Sequence, residues 1–243
     1  MPHFFINSNQ IENKTITICD KENYTHIARS LRARVGEKLL LIDEKQIQYE
    51  TTIVQIDNTK INCNIEKKYP SKRFLDFELY LAQSPLRGDA QGLLIEKTTE
   101  LGIYGIYPIK TDNCALNSDM IDKKIEKWQK IMYEASKQCE RANVPKCFER
   151  TTIEALIKNK KFDKIITFCE RIANKTIKDI SPIKKGDKVL VIIGPEGGFS
   201  QKEFDYFKNQ NFEMLTLGDL ILKAETAATV AIGNIIYEYS NKH

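Results

Sequence analysis

The sequence predicts two folded parts in tandem: a small β-barrel over residues 1–72, then an α/β domain with a parallel sheet over residues 73–243. Three observations predict this. Before residue 70, apolar residues alternate or run in short blocks at roughly ten-residue spacing. After residue 74, strand-type runs alternate with helix-type stretches. The glycine-rich segments follow strand-type runs directly, where α/β sheets bind their ligands.

In the first part the strand signals are Ile16 and Ile18, then 39–42, then Tyr49, Thr51 and Ile53, then Ile61, Cys63 and Ile65. Gly36-Glu37 and Asp57-Asn58 punctuate them as turns. A basic helical stretch is expected over 26–34, and a linker around Pro70 over 67–72. In the second part strands are expected over 77–82, 103–109, 164–169, 188–193 and 214–217. Helices are expected over 89–101, stopped by Gly102, and over 119–142, ended before Pro145. Two more cover 200–209, opened by a Ser200/Glu203 capping box, and 224–239.

A chain of 243 residues buries about 70–75% of its unfolded surface, so it needs no disulfide or metal staple. With 42% hydrophobic and 29% charged residues, it is not disordered, collagenous or a coiled coil. Its 37 basic and 33 acidic residues leave +4, too little to argue nucleic-acid binding. The six cysteines form no C-x-x-C and the three histidines are scattered, so no metal is expected. Reduced thiols, no signal-type N-terminus and no apolar run of about 18 residues predict a cytoplasmic protein with no membrane partner.

Five segments carry candidate chemistry. Residues 194–199 (GPEGGF) follow the apolar run 189–193. They lack the Lys-Ser/Thr of a phosphate loop and the G-x-G-x-x-G dinucleotide fingerprint. Glu196 repels phosphate, so the loop is either a tight turn or a site for a neutral or cationic small ligand. In 217–228, Gly218 turns the chain before Leu220, Ile221 and Leu222. The helix after them is rich in small residues, hence buried or packed on a partner. A packed helix does not by itself call for Lys223, Glu225 and Thr226 at its start. Glu96, Lys97 and Glu100 read alone as a solvated helix face. The stretch 121–150 holds eight basic and five acidic groups, among them Arg141. Arg29, Arg32 and Arg34 have no acidic residue between them and either track phosphates or stay solvated.

Together these segments resemble the RsmE family, bacterial ribosomal RNA uridine-N3 methyltransferases of the SPOUT superfamily. The resemblance rests on 96–102 (EKTTELG), 194–199 (GPEGGF) and 217–227 (LGDLILKAETA). Residues 26–43 (HIARSLRARVGEKLLLID) resemble that family's barrel domain. Trp128 with Glu134, Ala135, Gln138, Arg141 and Pro145 matches its long-helix pattern. The resemblance implies a SPOUT-type α/β-knot methyltransferase domain, with a deep trefoil knot, behind a PUA-like β-barrel that binds RNA. It implies S-adenosyl-L-methionine as cofactor, no metal, and a homodimer with the small-residue helix from Thr226 as a contact. The substrate implied is N3 of a specific uridine in small-subunit (16S) ribosomal RNA, within the assembled subunit.

Carried over residue by residue, Phe168, Gly194, Pro195, Glu196, Gly197 and Gly198 line the cofactor pocket. Leu217, Gly218, Leu220, Ile221 and Leu222 complete it. Arg29, Arg32, Arg34, Lys97, Gln138 and Arg141 hold RNA. Lys223 supplies positive charge at the reacting base, Glu225 orients it or accepts a proton, and Thr226 caps the helix or touches the base. The chain departs from the family's usual LGxRILRxETA: Leu220 replaces the first arginine, Lys223 the second, and Ala224 a threonine. Two other readings share these motifs: a SPOUT enzyme acting on another RNA position, and a non-catalytic RNA-binding assembly factor.

Overall fold

The structure is a computed structural model and describes residues 1–71, 75–170 and 172–240. The chain divides into two compact units, Met1–Phe74 with Lys137–Asn143, and Leu75–Ser136 with Val144–His243.

The first unit is one six-stranded sheet. Its strands are β1 (His3–Phe5), β2 (Ile11–Glu12), β3 (Thr15–Ile18), β4 (Lys38–Ile42), β5 (Ile47–Ile56) and β6 (Ile61–Pro70), in the order β1-β4-β5-β6-β3-β2. Among the described residues of this sheet, only β1 with β4 is parallel, at His3↔Leu40. Phe4, Ile16, Ile18, Leu39, Leu41 and Ile53 collect in its core. Burying each such side chain contributes about 1.5–3 kcal/mol. The short β1 carries no alternation to read and was not among the expected strands; its pairing with β4 defines it.

Two expectations are corrected here. The linker expected over 67–72 is strand as far as Pro70, because β6 pairs with β5 out to Ile47↔Pro70. Lys72, where the expected domain boundary falls, lies outside the described residues. The helix expected over 26–34 starts earlier and stops earlier. Asp20 caps α1 (Lys21–Tyr24) by accepting from Asn23 N at 2.8 Å, and π-type turns continue over Thr25–Ser30. Leu31 N still donates to His26 O, but Arg32 has φ +52°, a left-handed residue that ends the helix.

The second unit is a parallel sheet between two helical layers. Its elements are β7 (Glu78–Gln83), α2 (Ala90–Leu101), β8 (Gly105–Pro108), α3 (Ser118–Asp122), α4 (Ile125–Gln138) and β9 (Lys146–Cys147). After these come α5 (Ile153–Asn159), β10 (Lys164–Phe168), β11 (Lys188–Ile193), α6 (Gln201–Asn209), β12 (Glu213–Leu215) and α7 (Ala224–Tyr239). The strand order is β12-β10-β11-β7-β8-β9. Alternation sorts the two faces, as a two-sided buried sheet requires. Leu79, Leu81, Val189, Val191 and Ile193 join Leu94, Trp128, Met132 and Ala228 on one side. Tyr80, Ala82, Leu190 and Ile192 join Leu156 and Phe207 on the other.

The single helix expected over 119–142 is two. Asn117 caps α3 through Met120 N at 2.9 Å, and Lys123-Lys124 separates it from α4. No Gly or Pro marks the break. Beside it, Ile121 is fully buried and Arg150 holds Asp122 at 3.0 Å. The short α5 was not among the expected helices, although Thr152, accepting from Ala155 N, is an ordinary capping signal.

Candidate cofactor and RNA site

The carboxyl ends of β10, β11 and β12 lie side by side, with Thr167 opposite Ile192 and Phe168 opposite Leu215. Two of the expected segments, 194–199 and 217–222, leave from this edge. Phe168 closes β10 with its ring buried in the core.

The glycine loop is tied down on every side. Gly194 and Pro195 are buried. A Cβ on Gly194 would meet the Phe199 ring at 3.2–3.3 Å, so a side chain there crowds that ring. Gln83 Nε2 donates to Gly194 O at 3.2 Å and to Ser84 O at 2.7 Å. Glu196 Oε1 accepts from Arg87 N at 2.9 Å. Asn113 Nδ2 donates to Gly198 O at 3.1 Å and to Gly197 O at 3.4 Å. The capping box adds a further bridge. Glu203, almost fully buried, accepts from both Ser200 N (2.8 Å) and Asp112 N (3.1 Å), while Ser200 Oγ donates to Asp112 Oδ2 at 2.6 Å. Gln83, Asn113 and the bridging use of Glu203 were missed from sequence. Only Gln83 had a signal, an amide ending the apolar run 79–82.

The second loop is the opposite. Thr216 Oγ1 accepts from Gly218 N at 3.2 Å and donates to Gly218 O at 2.9 Å, a turn closed on itself. Gly218 has φ +127°, which favours glycine. Leu220 and Ile221 are 77% and 68% exposed, while Leu217 and Leu222 are half-buried. Among the described residues, the backbone groups of 219–221 make no hydrogen bond within the chain. Lys223 is exposed at the N-cap of α7 and makes no side-chain cap bond there. Thr226, which was offered as a cap, instead sits exposed in the first turn beside the half-buried Glu225. Ala227, Ala228, Ala231, Ile232 and Ile235 are buried, and α7 packs on α2. The small-residue face expected to meet a partner is therefore used within the unit.

Arg29, Arg32 and Arg34 are exposed and have no acidic partner among the described residues. Gln138 is exposed. Lys97 bonds Glu96 at 2.7 Å and Glu100 at 3.0 Å, and these carboxylates raise its pKa. Arg141 is buried and donates to Asn143 O and Oδ1; burial pulls its pKa down to about 10, so it stays cationic at neutral pH. Among the described residues, no cluster of three or more His, Cys, Asp or Glu is placed to hold a metal ion. No described helix is long and apolar enough to cross a membrane.

A parallel sheet with ligand-competent loops at one strand edge, joined to a mostly antiparallel β unit, defines an α/β enzyme that takes a small molecule. The chain belongs to the RNA methyltransferase domain family, whose model matches residues 74–236. A model described as an RNA methyltransferase PUA domain matches residues 18–66. The expected α/β methyltransferase domain following a PUA-like β unit is thus the fold present. The chain is 26% identical to ribosomal RNA small subunit methyltransferase E of Bacillus subtilis, over 98% of this chain and 97% of that one. It is 28% identical to the protein of the same name in Rickettsia conorii, over 95% and 93%. The crystal structure of the Neisseria gonorrhoeae protein of that name, bound to S-adenosyl methionine, superposes with a TM-score of 0.86 at 24% identity, covering 98% of both chains. A Legionella pneumophila methyltransferase holding the same cofactor gives 0.87 at 23%, covering 99% of both.

Proposed function

We propose that this chain transfers the methyl group of S-adenosyl-L-methionine to N3 of a specific uridine in small-subunit (16S) ribosomal RNA. Similarity to the curated small-subunit methyltransferases, running across both units, is the observation that carries the reading. The proposed division of labour gives RNA binding to residues 1–72, through Arg29, Arg32 and Arg34, and methyl transfer to residues 73–243. The trefoil knot, action on the assembled subunit in the cytoplasm, and a homodimer belong to the same proposal.

The residues present fit the cofactor. The glycine loop has no lysine or arginine to repel a sulfonium, and it carries Glu196. The unbonded backbone of 219–221 offers donors and acceptors to an adenosyl group. When bound, that group supplies an electrophilic methyl, so the chain has only to position the base and manage one proton. Uridine N3 must lose its proton before it attacks. Lys223, at the positive end of a sixteen-residue helix, stabilises the anion that develops on the base. Glu225 takes or relays the proton, and Thr226 contacts the base.

The test is nucleoside mass spectrometry of 16S ribosomal RNA from a strain lacking this protein. Loss of N3-methyluridine, restored by the wild-type gene, is expected. An unchanged nucleoside profile sinks the reading in favour of an assembly factor without turnover. Loss of a different methylated nucleoside points to another RNA position.

A further inference from the structure

Gln83 is the last residue of β7 and is fully buried. Its amide orientation is determined by its neighbours: the NH2 group faces two carbonyl oxygens, Ser84 O at 2.7 Å and Gly194 O at 3.2 Å. A flipped amide would set oxygen against oxygen. Oε1 is therefore on the other side of the planar group, and it has no hydrogen-bond partner among the described residues. Buried acceptors without donors are rare in native proteins because leaving them unmet is costly. This one belongs to the residue that bonds the first carbonyl of the glycine loop.

We propose that Gln83 Oε1 is a binding contact for the adenine of the methyl donor, accepting from its exocyclic amine. The inference rests on the cofactor assigned above and adds a residue that no motif contains. The methyl donor offers three kinds of donor: an ammonium, ribose hydroxyls and the adenine amine. Along β7, Gln83 shares its face with Leu79 and Leu81, the face on which Phe168 and Ile193 also lie. An ammonium loses its hydration there and is disfavoured. A ribose hydroxyl brings an acceptor of its own that then needs a donor on the same apolar face. The amine of a flat, uncharged purine suits these surroundings. Gln83 thus does two things: its NH2 holds Gly194, and its oxygen reads the base. A 6-oxo purine, which turns an acceptor toward Oε1, is rejected.

Calorimetry with S-adenosyl-L-homocysteine and its 6-oxo (inosyl) analogue tests this without turnover. Wild-type protein should bind the adenosyl ligand at least tenfold more tightly than the inosyl one. Gln83→Met, which keeps the volume and removes both polar groups, should weaken adenosyl binding about tenfold and leave inosyl binding nearly unchanged. That collapse of discrimination is the expected result. A Gln83→Met protein that still discriminates by the wild-type factor overturns the contact and leaves the methyltransferase reading standing. Should that variant not fold, the wild-type comparison alone decides, since equal affinity for the two ligands also overturns the contact. Wild-type protein that binds neither ligand overturns the cofactor assignment itself.

Discussion

The two loops at the carboxyl edge of the sheet leave β11 and β12, the strands on either side of β10, and are built in opposite ways. The glycine loop is held by Gln83, Arg87, Asn113 and Asp112, with its carbonyls and Glu196 already engaged. The loop before α7 is anchored where Thr216 N donates to Lys175 O at 2.8 Å, closes on itself at Thr216–Gly218, and leaves Leu220 and Ile221 to solvent. One wall of the proposed pocket is thus formed in advance, and the other is free to adapt. Pre-formed contacts lower the ordering cost of binding, whereas an open loop is ordered when the ligand arrives.

Four substitutions break or sharpen that contrast. The largest effect is expected for Lys223→Ala in the open loop. Single-turnover methylation should fall about 10²–10³-fold, as when an electrostatic stabiliser is lost, while calorimetric affinity for S-adenosylmethionine holds. Unimpaired turnover removes Lys223 from the mechanism. Next is Gly194→Ala in the closed loop. Its new methyl meets the Phe199 ring, so urea unfolding should show a loss of about 1–3 kcal/mol. Ser200→Ala removes the cap of α6 and the bond to Asp112, a loss of about 1 kcal/mol by the same measurement. Smallest is Leu220→Arg, at a side chain 77% exposed. Stability should stay within about 0.5 kcal/mol. RNA affinity should become more salt-dependent by about one unit of slope, one added phosphate contact. An unchanged slope places position 220 away from RNA.

The position of both loops could be read in the sequence, but not the contrast between them. GPEGGF after an apolar run marked the closed loop, and the Ser200/Glu203 capping box appears as expected, as does the stop at Gly102. All three signals are local, carried within a few residues. What could not be read is carried by distant parts of the chain. Asn113 reaches carbonyls more than 80 positions away, and Glu203 bridges to Asp112 across 91. The break between α3 and α4 carries no Gly or Pro to mark it. Arg141, expected from the resemblance to hold RNA, is buried and donates to Asn143 O.

The strand order has a consequence for how the chain is made. β7 is flanked by β8, which follows it closely in sequence, and by β11, where Lys188 meets Glu78 about 110 residues later. At a synthesis rate of about 5–20 residues per second, that edge of β7 waits roughly 5–20 s for its partner. Throughout that time Leu79 and Leu81 sit on a strand with one row of backbone groups unpaired, a template for pairing with another chain. Nascent chains stalled before residue 188 should therefore be the aggregation-prone, chaperone-bound species, and translation through β11 should release them.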